Sequence, residues 1–119
     1  MVYEIINWTG NIKEFDYFKL IFEGEYLNGK RNGKGKEYDY YGKLEFEGEY
    51  LNGKRNGKGK EYKISKDEIF EINYKYDYYE TMFEGEYKNG ERNGKGKEYD
   101  KYDNLIFEGE YLNGKKIEN

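Results

Sequence analysis

The chain has 119 residues, a formal net charge of −4, and 39% charged against 35% hydrophobic residues. That length allows one domain at most, and the aliphatic content is too low for a thick globular core. Cysteine and histidine are both absent, which excludes a disulfide framework, thiolate chemistry and the commonest general base and metal ligand.

The N-terminus, MVYEIINW, lacks a basic region followed by an apolar stretch, and no apolar run is long enough to span a bilayer. The sequence therefore reads as soluble and cytoplasmic, peripheral at most to a membrane or the cytoskeleton. Gly10 to Phe15 falls where Gly33 to Tyr38 falls in the following unit, so residues 1–21 read as a worn N-terminal cap. Phe22 to Tyr38 spells FEGEYLNGKRNGKGKEY, and Phe46 to Tyr62 repeats it letter for letter. A third copy, Phe83 to Tyr99, changes only Lys88 and Glu91, and a fourth runs from Phe107 to Lys116. Such fidelity marks a repeat protein.

The units are 22–45 and 46–69, a shortened one at 70–82, a full one at 83–106 and a partial one at 107–119. Phe70 opens FEINY, a worn FEGEY, and Tyr76 to Tyr79 matches the linker Tyr38 to Tyr41. The middle of the unit, LNGKRNGKGKE, is missing there. Removing a loop turns two strands into one, so either a continuing meander reverses the later hairpin tips or 70–82 leaves the sheet and restores direction; a bend or twist between two sub-arrays is expected there.

Within one unit, apolar and polar residues alternate along Phe22-Glu23-Gly24-Glu25-Tyr26, which predicts a strand. Asn28-Gly29 and Asn32-Gly33 are turn signals, and Lys34 to Tyr38 is the return strand. Placing Gly24 opposite Gly35 pairs Glu23 with Lys36 and Glu25 with Lys34 on one face. The other face carries Phe22, Tyr26 and the glycines, over which an aromatic from a neighbouring unit can lie. A single hairpin is marginal in water, so stability must come from stacking units. The aromatic stripe comprises Phe22, Phe46, Phe70, Phe83 and Phe107 with Tyr26, Tyr50, Tyr74, Tyr87 and Tyr111.

The aromatic at Phe22, the glycine at Gly24, the Asn28-Gly29 turn and the Gly33-x-Gly35 pair recur from Phe46 and Phe83 and in part from Phe107. This pattern resembles the MORN repeat (membrane occupation and recognition nexus) over nearly all of Phe22 to Lys116. The resemblance implies an all-β fold, an elongated antiparallel array of hairpins in a single layer. It also implies a non-catalytic role in protein scaffolding, dimerisation or attachment to phospholipids. Phe70 to Met82 departs from the pattern, with Ile72 in place of the glycine.

Three surfaces are candidates for function. The basic hairpin tips Lys30, Arg31, Lys54, Arg55, Arg92, Lys115 and Lys116 occupy equivalent positions and would suit phosphoinositide head groups or an acidic partner. The stripe Phe22, Tyr26, Phe46, Tyr50, Phe83, Tyr87, Phe107 and Tyr111 is either the core or an aromatic groove for a partner's apolar side chains. The strand Phe107 to Tyr111 lacks a full return strand and reads as an open edge available to a second copy. Catalysis is not expected: Glu23, Glu25 and their copies are serial and exposed, whereas a catalytic pair is singular and set in a cleft. Gly33-Lys34-Gly35-Lys36 lacks Walker spacing and a following helix, so no phosphate-binding cofactor is implied. No metal is implied either. Aromatics interleaved with lysine could suit single-stranded nucleic acid, but the matched glutamates would repel its backbone. The reading is therefore a protein-interaction or scaffolding module, with phospholipid binding as the alternative and a small inhibitor of another protein as a third.

Overall fold

A computed structural model describes residues 8–65 and 78–118. They form one antiparallel sheet of nine strands in chain order, with no helix. The strands are β1 (Gly10–Asp16), β2 (Lys19–Leu27), β3 (Lys30–Tyr38), β4 (Leu44–Leu51) and β5 (Lys54–Ser65). They continue as β6 (Tyr78–Lys88), β7 (Glu91–Tyr99), β8 (Leu105–Leu112) and β9 (Lys115–Lys116). Each neighbour in sequence is a neighbour in the sheet, as short connections require.

Asn28-Gly29, Asn52-Gly53, Asn89-Gly90 and Asn113-Gly114 each close a two-residue turn with both residues at positive φ. That is the turn whose twist matches the flanking strands, and Asn-Gly tolerates it best. These turns share one rim of the sheet and are tied together. Gly53, Gly90 and Gly114 donate their N–H groups to the carbonyls of Arg31, Arg55 and Arg92 in the preceding unit, at 2.8–2.9 Å. On the opposite rim, Tyr17 (φ 45) and Phe18 (φ 68) occupy the turn between β1 and β2. Left-handed backbone at residues with a Cβ costs roughly 1–2 kcal/mol each.

Gly24 lies opposite Gly35 and Glu23 opposite Lys36, as expected. Glu25 does not pair with Lys34. The tight turn sets Tyr26 against Arg31, so Asn32, Gly33 and Lys34 face Glu25 alone and bulge outward. Asn32-Gly33 is this bulge and not a second turn. Gly33 takes φ 103 there, and the Glu25 carboxylate accepts the Lys34 backbone N–H at 2.6 Å. Glu49 with Lys58 and Glu86 with Lys95 repeat the brace.

Among the described residues the sheet shows neither the reversal nor the bend expected at 70–82; direction is kept, as the alternative required. β5 pairs directly with β6, with Gly59 opposite Gly85 as Gly35 is opposite Gly48. Pairing runs on from Tyr62↔Thr81 to Ser65↔Tyr78, which prolongs this hairpin at the rim that carries Tyr17 and Phe18. β5 and β6 are therefore sheet neighbours, and the tips on both sides of the shortened unit share one rim. Phe70 and Tyr74, placed in the stripe from sequence, lie outside the described residues.

The core is a single row of rings on one face. Phe22, Phe46 and Phe83 are fully buried, and Tyr26, Tyr50, Tyr87 and Tyr111 nearly so. Each phenylalanine meets the tyrosine of its own strand and that of the next unit edge to face. Phe22 lies 6.1 Å from Tyr26 and 5.2 Å from Tyr50, between centroids. Such pairs contribute about 0.5–1.5 kcal/mol each beyond area burial. The rings sit down on the sheet because glycine lies beneath them. A Cβ on Gly35 would stand 2.5 Å from Phe22 Cζ and 3.0 Å from Tyr50 Cε1.

Candidate interaction site

The arginines expected at the tips do not point away from the sheet. Arg31, Arg55 and Arg92 fold back over the aromatic face, each guanidinium carbon 4.0 Å from the centroid of Phe22, Phe46 or Phe83. A carboxylate from the preceding unit holds each in place. Arg31 Nη2 donates to Glu14 at 2.7 Å, Arg55 Nε to Glu37 at 2.8 Å and Arg92 Nε to Glu61 at 2.8 Å. The same Glu37 and Glu61 carboxylates accept the Tyr50 and Tyr87 hydroxyls, and Glu98 accepts Tyr111 at 2.7 Å. Lys116 replaces arginine in the last unit, with Nζ 4.6 Å over Phe107 and 2.8 Å from Glu98. The lid over the aromatic stripe is thus encoded once per repeat.

This clustering shifts protonation. Burial favours the neutral acid at Glu37, yet the hydrogen bonds from Arg55 and Tyr50 and the guanidinium charges outweigh it and hold the carboxyl below the usual range. Glu61 is depressed in the same way by Arg92 and Tyr87. Burial, then the bond to the carboxylate, pushes the Tyr50 and Tyr87 hydroxyls above the usual phenol range.

Among the described residues the stripe is therefore covered on its outer side by Arg31, Arg55 and Arg92, with only Phe107 half-buried. Lys30, Lys54 and Lys115 remain exposed on the tip rim. Beside them Leu27, Leu51 and Leu112 are each about half exposed. The edge expected to be open over Phe107 to Tyr111 is covered at one end: β9 pairs Lys116 with Tyr111, and Ile117 donates its N–H to the Glu110 carbonyl at 2.9 Å.

On the opposite face the sheet carries a trough of about 1690 Å³. Glycines form its floor, from Gly24 and Gly35 through Gly48, Gly59, Gly85 and Gly96 to Gly109. One wall runs Lys13, Glu23, Lys36, Glu47, Lys60, Glu84, Lys97, Glu108 from strand to strand. The sign alternates at the strand spacing of about 4.8 Å. Lys60 and Glu84 are 3.4 Å apart and Lys97 and Glu108 3.6 Å, all of them roughly half exposed. Pairs this wet hold little energy and stay open to exchange with a partner.

The Glu37, Glu61 and Glu98 clamps are the functional positions that sequence reading missed. Their signal was present, a glutamate six residues after every arginine (Arg31 and Glu37, Arg55 and Glu61, Arg92 and Glu98). Each arginine, however, binds the carboxylate of the preceding full unit or cap, and Arg92 alone among the described residues also reaches its own, Glu98, at 3.1 Å. The glycine-floored trough was missed too, because pairwise charge matching describes one hairpin and not a wall that crosses the whole sheet.

These features define an open, single-layer hairpin-repeat sheet whose one face is sealed by its own side chains and whose other face is a continuous charged trough. The MORN repeat family profile matches residues 22–40, 46–67 and 83–101, and the chain belongs to that family. No curated protein matches the chain. MORN repeats generally mediate protein or lipid interactions.

Proposed function

We propose that this protein is a non-catalytic docking module that receives a segment of another protein along the glycine-floored trough. The observation that carries this reading is the trough itself: it crosses the sheet, and its wall alternates in charge strand by strand. The missing Cβ of each floor glycine points to the ring side, so on the trough side the floor is backbone lying between charged rows, open to a partner's side chains. Glutamates and lysines at fixed spacing then select a partner of complementary sequence and set its register more than its affinity. The absence of catalysis is supported by the serial, repeated placement of the carboxylates.

The test compares proteins co-purified from source cells on the wild-type chain, on Lys36→Glu/Lys60→Glu, and on the rim variant Lys30→Glu/Lys54→Glu. A partner kept by the wild type and the rim variant but lost from the trough variant, and released by salt, is the expected result. The same set retained on all three would remove the trough from the account.

A second reading, peripheral binding to anionic phospholipid, is favoured by the tip rim. There the half-exposed Leu27, Leu51 and Leu112 stand beside Lys30, Lys54 and Lys115. Apolar side chains next to cations suit the boundary between acyl chains and head groups. A homodimer would have the Leu105–Gly109 stretch of the β8 edge to pair through, since β9 covers the rest.

A further inference from the structure

The turn between β1 and β2 departs from the Asn-Gly rule of the tip-rim turns. The two-residue turns of the tip rim use Asn-Gly, whereas Asp16 and Lys19 close theirs around Tyr17 and Phe18. Phe18 is 100% exposed and Tyr17 86%, so neither ring returns any packing to the sheet. A strained backbone that displays two bulky rings to water points to contact with something outside the fold.

The adjoining β3–β4 loop displays two more rings, Tyr40 and Tyr41, each about seven-tenths exposed. That loop is held rigid. Asp39 Oδ1 accepts the Tyr41 and Lys43 N–H groups at 2.9 and 3.0 Å, and the Asp39 carbonyl accepts Gly42 at 2.9 Å. Between the two loops lies a cleft of about 370 Å³ bounded by Asp16, Tyr17, Ile21, Tyr38, Asp39 and Tyr40. The Lys19 ammonium stands 3.2 Å over the Tyr40 ring at this cleft, which shows that the corner accommodates a cation.

The geometry points to a docking corner, separate from the trough, for a polypeptide segment that presents a lysine or arginine flanked by apolar side chains. Its cation replaces Lys19 over Tyr40 and lies near the Asp16 and Asp39 carboxylates. Its apolar neighbours cover Tyr17, Phe18 and Tyr41. Preorganised tyrosines offer large contact area at low entropic cost, as binding loops use them. Asp16 and Asp39 at the cleft, against the single Lys19, and the net charge of −4 favour a basic peptide over an anionic membrane or nucleic acid.

The test uses the full chain and the variant Tyr17→Asn/Phe18→Gly, which installs the Asn-Gly pair of the other turns. Its melting temperature should match or exceed that of the wild type. A fall of several degrees would mean the aromatic pair serves the fold and would overturn the proposal. A displayed random-peptide library panned on the wild type should enrich sequences with a lysine or arginine beside apolar residues. Their binding should weaken about tenfold or more in the variant and in Asp16→Asn. No enrichment, peptides without a basic residue, or equal binding to the variant would each overturn it. So would sedimentation of the wild type but not the variant with phosphatidylcholine/phosphatidylserine vesicles, which would assign the corner to a membrane.

Discussion

Arg55 lies with its guanidinium carbon 4.0 Å above the Phe46 ring, a residue nine positions earlier and one strand away. The contact does what a second layer of structure does in thicker folds: it closes the apolar face of a one-layer sheet. Glu37 fixes it from the preceding unit, so each repeat seals its neighbour. Arg55→Ala should lower stability by about 2–3 kcal/mol, since it uncovers the ring and strands a partly buried carboxylate. Adding Glu37→Gln should recover part of that loss. Urea denaturation of the single and double variants measures both, and a loss under about 0.5 kcal/mol would class the pair with ordinary surface salt bridges.

The glycines beneath the rings make an ordering prediction. Gly35 has no room for a methyl group, which would stand 2.5 Å from Phe22 Cζ. Gly53 has open space but a φ of 89. Gly35→Ala should therefore cost about 2–3 kcal/mol through overpacking, and Gly53→Ala about 1 kcal/mol through backbone strain alone. Equal costs, or the reverse order in thermal melts, would contradict the packing described for the aromatic face.

The register from Gly24 to Gly35 and the aromatic face were legible because strand alternation has a period of two and the repeats print it several times over. The Asn28-Gly29 turn was legible for the same reason. Glu25 was misplaced because a tight turn plus a bulge moves the pairing by two residues, and sequence alone does not say which of two Asn-Gly pairs turns the chain. The arginines were misplaced because a tip residue on an extended strand points to either face, and the choice depends on a glutamate in a different unit. At 70–82, loss of the middle of a repeat reads equally as one strand fewer or as a longer connection. The pairing of Tyr62 with Thr81 makes β5 and β6 neighbours and so keeps the direction of the tips.

Acid and alkali should act on the same clusters from opposite sides. Glu37 and Glu61 are depressed in the folded state, so they bind fewer protons there than in the unfolded chain. Their contribution is complete above the unfolded carboxyl range, about pH 4.3, and is lost as pH falls through the folded values. Tyr50 and Tyr87 are raised, so theirs is complete below about pH 10 and is lost as pH rises beyond it. Melting temperature against pH should show a plateau between these limits, and Glu37→Gln/Glu61→Gln should flatten its acid shoulder. An acid shoulder unchanged in that variant would place the titrating groups elsewhere.

The arginine lid also decides how lipid binding must be tested. Reversing Arg31, Arg55 and Arg92 would place carboxylates over Phe22, Phe46 and Phe83 and beside Glu14, Glu37 and Glu61, so lost vesicle binding would report unfolding. Lys30, Lys54 and Lys115 are exposed on the same rim and bridge to nothing among the described residues. Lys30→Glu/Lys54→Glu/Lys115→Glu should keep the wild-type melting temperature to within about 0.5 kcal/mol of stability. If the rim binds phosphoinositide, co-sedimentation with phosphoinositide vesicles at physiological salt should be strong for the wild type and absent for this variant. Equal sedimentation of the two proteins, or none of either, would leave the lysines as a solubilising rim and the trough as the surface that meets a partner.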